Sequence, residues 1–131
     1  MAVTKLPANT YPITAQDQAA VPYVQGVPSE TARFLQDLHG MGVAAVALDG
    51  VQKPYLNGTG TIVAFSNDNI QVFEFPAAQI ASEAAAQIFK KAPRLKREPD
   101  FFHVFTEGKL VVLYFGHNQD VIAVTRQVVA R

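Results

Sequence analysis

The chain has 131 residues, no cysteine and a formal net charge of zero, with 49% hydrophobic and 17% charged residues. The length fits one domain around one core, and so apolar a chain with so little charge is not intrinsically disordered. Absent cysteine excludes disulfides, thiolate nucleophiles and zinc–thiolate sites. Balanced charge argues against nucleic-acid binding driven by counterion release, and no apolar run approaches the ~20 residues of a membrane span.

The stretch Met1–Pro28 reads as an extended arm. It holds Pro7, Pro12, Pro22 and Pro28, half of the eight prolines, and only two charges, Lys5 and Asp17. Proline fixes φ and removes a donor, so helix is disfavoured there. Tyr11, Ile13, Val21, Tyr23 and Val24 make the arm more apolar than a solvated linker. The start MAVTKLPANTYP has no charged region followed by an apolar run, so no export signal is expected.

Residues 29–131 read as a single α+β domain. Ser29 is the expected N-cap of a first helix, with Phe34, Leu35, Leu38 and Met41 at helical spacing and Gly40 and Gly42 as C-cap. Val43–Leu48 reads as a short strand closed by an Asp49-Gly50 turn. Gly60–Phe65 and Ile70–Phe75 read as a hairpin across Ser66–Asn69, in the register Phe65 opposite Ile70, which places Glu74 opposite Thr61. Pro76 opens an alanine-rich helix to Lys91, with Ile80, Ala84 and Ile88 spaced by four and Pro93 as its stop. Phe101–Thr106 and Lys109–Phe115 form a second hairpin across Glu107-Gly108, with His103 facing Val112. Asn118 caps a last helix with Val121, Val124, Thr125 and Val128 on one stripe. The order α-β-β-β-α-β-β-α implies a mostly antiparallel sheet packed against helices.

The runs PYLNGTGTIVAFSNDNIQVFEFPAAQIASEAAAQI and FFHVFTEGKLVVLYFGHNQDVIAVTRQVV, from about Glu30 to the C-terminus, resemble an uncharacterised family of small bacterial lipoproteins and lipoprotein-like proteins. The shared pattern is strand, polar turn, strand, alanine-rich helix, hairpin and amphipathic helix. The resemblance implies this fold and carries over no catalytic residue. Family members bear an export signal and a lipid-bearing cysteine, and this chain has neither. It is therefore expected to be a trimmed lipoprotein, which would be extracytoplasmic, or a soluble relative.

Motifs that encode chemistry do not survive their context. Gly40-Met41-Gly42-Val43-Ala44-Ala45 spells a dinucleotide fingerprint, but helix precedes and strand follows, so a phosphate would meet a helix C-terminus. Asn57-Gly58-Thr59-Gly60 lacks the ending of a phosphate loop and reads as a loop entering a strand. His39, His103 and His117 show no metal-ligand spacing, and the acids are scattered, with Glu74 alone inside a strand. No catalytic residue, cofactor or metal site is expected.

Two features remain. Residues 1–89 carry a balance of four negative charges and residues 90–131 four positive, with Lys90, Lys91, Arg94, Lys96 and Arg97 clustered. These five are candidates for contact with an anionic surface, without specific nucleic-acid binding. The sheet is also apolar on both faces. Phe102, Val104, Val111, Leu113 and Phe115 alternate with Phe101, Phe105, Leu110, Val112 and Tyr114. Three short helices are expected to leave one face to the arm or to a second copy. The interface candidates are Tyr11, Ile13, Val21, Tyr23, Val24, Phe101, Phe105, Leu110, Val112 and Tyr114. The sequence thus points to a non-catalytic interaction or self-assembly module forming homo-oligomers. A binder of small apolar ligands, or an enzyme without a recognisable motif, are the alternatives.

Overall fold

A computed structural model describes residues 27–130. Among these residues three helices, α1 (Ser29–Gly40), α2 (Ala78–Lys91) and α3 (Gln119–Val129), accompany five strands and one 3-10 helix (Pro93–Arg97). The strands are β1 (Val46–Lys53), β2 (Leu56–Phe65), β3 (Asp68–Glu74), β4 (Phe102–Glu107) and β5 (Leu110–Phe115). They form one antiparallel sheet in the order β1-β2-β3-β5-β4. The α+β order read from the sequence is the order observed.

Both faces of the sheet are apolar, as the alternation requires, and the chain's own helices cover each. On one face Val63, Phe65, Ile70, Val72, Leu110, Val112 and Tyr114 meet Phe34, Leu35 and Leu38 of α1 and Val121, Ile122 and Val128 of α3. On the other, Phe73, Phe75, Phe102, Val111 and Leu113 meet Ala81 and Ile88 of α2 and Leu95 of the 3-10 helix. The expected bare face is therefore closed by α2 and the turn that follows it.

Several local expectations are corrected. β1 runs through Asp49-Gly50 instead of stopping there. The ladder shifts register between Ala47 and Gly50, and the Asp49 carboxylate accepts from the Gly50 amide at 2.8 Å. The turn between β1 and β2 is Pro54-Tyr55, since Lys53 pairs with Leu56. The β2–β3 turn is Ser66-Asn67, with φ of 54° and 59°, the left-handed pair of a type I′ turn. Phe65 therefore faces Asp68, not Ile70, and Glu74 faces Thr59, not Thr61. In the second hairpin Gly108, at φ 53°, and Lys109 form the turn, so His103 faces Tyr114, not Val112. Each register is displaced by an even number of residues, which leaves every side chain on its expected face.

Helix α1 lacks the expected Ser29 cap, because its N-cap is Pro28 and no local side chain serves. The Glu74 carboxylate does so from β3, accepting from the Thr31 amide at 2.9 Å and the Thr31 hydroxyl at 3.2 Å. At the other end Val43 donates to the Leu38 carbonyl and Gly42, at φ 83°, to that of His39, a Schellman closure. In α2 the buried stripe is Ala81 and Ile88, not Ile80, Ala84 and Ile88. Four-residue steps drift about 40° each, whereas seven residues return nearly to the same face. Ile80 is left 44% exposed. Asn118 caps α3 as expected, its side chain accepting from the Asp120 and Val121 amides.

Candidate functional site

Glycines inside β2 border a groove between the sheet and α2. Asn57-Gly58-Thr59-Gly60, expected as a loop, is strand, and its glycines are where rings of β3 and its end approach the backbone. A Cβ on Gly58 would lie 2.7 Å from Cζ of Phe75, and one on Gly60 2.6 Å from Cε2 of Phe73. Beside Gly58 opens a groove of about 600 Å3 between α2 and the neighbouring sheet. Buried Tyr55 and Phe75 form its apolar floor, and Ile80, Ala84, Gln87 and Lys91 run along one side. That spacing is a single stripe of α2, about 16 Å long at the helical rise. Asn57 and Glu83 supply polar groups. Burial pushes the Tyr55 phenol above its usual range, against the pull of Arg94 in the 3-10 helix.

The acids and histidines do structural work. Arg33 of α1 bridges Glu30 and Asp37 at 3.1 Å and reaches Glu107 of β4 at 3.7 Å. Burial raises the Glu107 carboxyl above its usual range despite Arg33, and its Oε1 has no hydrogen-bond partner. His39 Nε2 lies 2.7 Å from the Ala45 carbonyl. His103 Nε2 lies 3.0 Å from the Asp100 carbonyl and 3.1 Å from that of Gly116, with its ring stacked on Tyr114. Since carbonyls only accept, each Nε2 carries its proton. His117 packs beside Phe101. Among the described residues no group of three or more His, Asp or Glu could hold a metal.

The other sequence candidates separate. Tyr11, Ile13, Val21, Tyr23 and Val24 lie outside the described residues. Leu110, Val112 and Tyr114 sit under α1 and α3 with exposures of 1% or less, and Phe105 is partly buried against the same core. Tyr114 is held further by a 2.6 Å hydrogen bond to Asp68 and a 2.9 Å bond from the Asn118 amide. Phe101 precedes β4 and is exposed. Lys90, Lys91, Arg94, Lys96 and Arg97 are all exposed. The groove was missed because Ile80 read as ordinary core and Tyr55 fell between the predicted strands. The legible signal was the pair of glycines just ahead of the apolar run Ile62–Phe65.

Fold and site together define a three-layer α+β domain, helices on both faces of an antiparallel sheet, with an open groove along α2. Compared with protein-family models, curated proteins and solved structures, the chain matches none.

Proposed function

We propose that the protein is a non-catalytic self-assembly module in which the N-terminal arm of one copy seats in the α2 groove of another. The observation that carries this is the groove's shape. A trough about 16 Å long fits about five residues of extended chain at 3.3 Å each. The arm offers two clusters of that size, Tyr11-Pro12-Ile13 and Val21-Pro22-Tyr23-Val24, each with a proline that favours extended backbone. Aromatic and branched side chains suit the Tyr55–Phe75 floor and exposed Ile80.

Exchange between copies fits where the arm departs. Val27 packs against the core on the α1 side of the sheet, whereas the groove opens on the α2 side. The 26 residues ahead of it could span about 85 Å, ample reach for a neighbour. Light scattering on the intact chain and on a version starting at Val27 tests the reading. An oligomer that becomes a monomer on deletion supports it; the same monomeric mass for both overturns it.

A second reading has its own support. The groove's volume, about 600 Å3, lies within the 300–1,000 Å3 of small-molecule sites. A monomer that binds an apolar fluorescent probe, lost in Ile80→Arg, would favour a small ligand over the arm.

A further inference from the structure

The corner where α2 runs into the 3-10 helix carries charge that the helix does not account for. Lys90 and Lys91 lie in the last turn of α2, where the dipole favours cations. Arg94, Lys96 and Arg97 lie beyond it in the 3-10 helix. None of the five makes an ion pair with a described acid, and every ion pair described belongs to Arg33. From Phe89 to Phe101 the chain carries a net of three positive charges, so the remainder is three negative.

The fold sets two exposed aromatics beside these cations. Phe89 is 39% and Phe101 37% exposed, two of the four large hydrophobic residues exposed among those described. They belong to one chain of rings, which continues from Phe101 to exposed His117 at 5.5 Å. Phe89 meets Phe102 edge-on at 5.9 Å, Phe102 meets Phe115 at 5.0 Å, and Phe115 meets Phe101 at 6.1 Å. Lys53, from the end of β1, lies over the Phe115 ring at 5.1 Å and adds a cation. The rings are thus braced from behind while their outer edges meet solvent. The sequence showed no aromatic within the basic run; only folding brings Phe101 and Lys53 to it.

We propose that this corner docks on an anionic lipid bilayer, the cations meeting headgroup phosphates and Phe89 and Phe101 entering the acyl boundary. Exposed phenyl edges among lysines and arginines suit an interface that is charged outside and apolar beneath. Glu98 and Asp100, both exposed, follow Arg97 and oppose any anionic partner, but the net of three positive charges remains. The two exposed phenyl groups favour a bilayer over a nucleic-acid track, because an interface admits apolar groups beneath its charge. This surface meets the assembly groove at Lys91, which is therefore left unchanged in the test, and through the charge of Arg94 on Tyr55, whereas Arg97 and Phe101 do not line the groove.

Co-sedimentation of the full chain with phosphatidylcholine vesicles, and with vesicles of equal parts phosphatidylcholine and phosphatidylglycerol, reads the proposal directly. Binding should require phosphatidylglycerol and weaken as salt rises. Each cation contributes about fivefold, so replacing Lys90, Arg94, Lys96 and Arg97 by Gln should lower affinity by several hundredfold. Phe101→Ser should weaken it about tenfold, and Lys109→Gln, in the turn at the opposite end of β5 from Phe115, should leave it unchanged. All substituted side chains are exposed, and far-UV circular dichroism confirms folding. If the fourfold variant does not fold, Arg97→Gln and Phe101→Ser decide alone. Equal binding to both vesicles, no binding to either, retained binding in the substituted proteins, or equal loss in Lys109→Gln overturns the proposal. So does tighter binding to a single-stranded oligonucleotide than to the anionic vesicles.

Discussion

Removing the Glu74 carboxylate tests how β3 fixes α1 and hence where the arm leaves the domain. Two hydrogen bonds converge on Glu74 Oε1, from the Thr31 amide at 2.9 Å and the Thr31 hydroxyl at 3.2 Å. Thr31 is fully buried, whereas Glu74 is half-buried. A hydrogen bond to a charged acceptor contributes about 1.5–3 kcal/mol, and a helix cap about 0.5–2 kcal/mol. Partial solvent access places the sum near the lower part of those ranges. Glu74→Ala should cost about 2 kcal/mol, and Glu74→Gln, which keeps an acceptor without the charge, about 1 kcal/mol. Near 4 °C per kcal/mol for a domain of this size, the alanine variant should melt about 8 °C lower. Urea titration and thermal scans of Glu74→Ala, Thr31→Val and the double variant measure both cost and coupling. A loss below about 0.5 kcal/mol, ordinary for an exposed site, or strictly additive effects would refute the capping role.

Other substitutions probe the packing and the groove. Gly60→Ala places a Cβ 2.6 Å from Phe73 Cε2 and against the Val51 carbonyl, so urea titration should show a loss of about 2 kcal/mol. Burial holds the Glu107 carboxyl above its usual range, so its ionisation opposes folding. Stability from that group is present below its unfolded pKa and lost as pH rises through the raised folded value. Glu107→Gln should therefore raise the urea midpoint at pH 7, and the gain should close as pH falls toward the ordinary carboxylate range. Ile80→Arg, at a position 44% exposed, should change melting little while weakening self-association, read by sedimentation velocity.

The two-residue alternation of the strands was legible because it does not depend on where a turn begins. Val63, Phe65, Ile70 and Val72 fall on one face and Phe73 and Phe75 on the other, as the pattern requires. Register was not legible, because Ser66–Asn69 holds several residues able to adopt left-handed backbone and only the structure places them at Ser66 and Asn67. The α1 cap was hidden because its acceptor is 43 residues away, on another strand. Local capping chemistry favoured Ser29, and tertiary geometry chose Glu74. The groove escaped notice because Ile80, spaced by four from Ala84 and Ile88, matches a core stripe in letters and drifts off it in angle. The basic run was visible as charge and Phe89 adjoins it in sequence, but Phe115 and Phe101 come from β5 and from the approach to β4.

The solution mass of the intact chain, beside that of a version beginning at Val27, tests assembly through the arm most directly. The chain weighs 14.2 kDa. Multi-angle light scattering across a wide concentration range should give a whole multiple of that mass for the intact protein. The shortened protein should be monomeric, and adding a peptide spanning Tyr11–Val24 should restore nothing in Ile80→Arg while binding the unsubstituted shortened domain. A strictly monomeric intact chain at high concentration, with deletion altering neither mass nor melting temperature, would contradict the account.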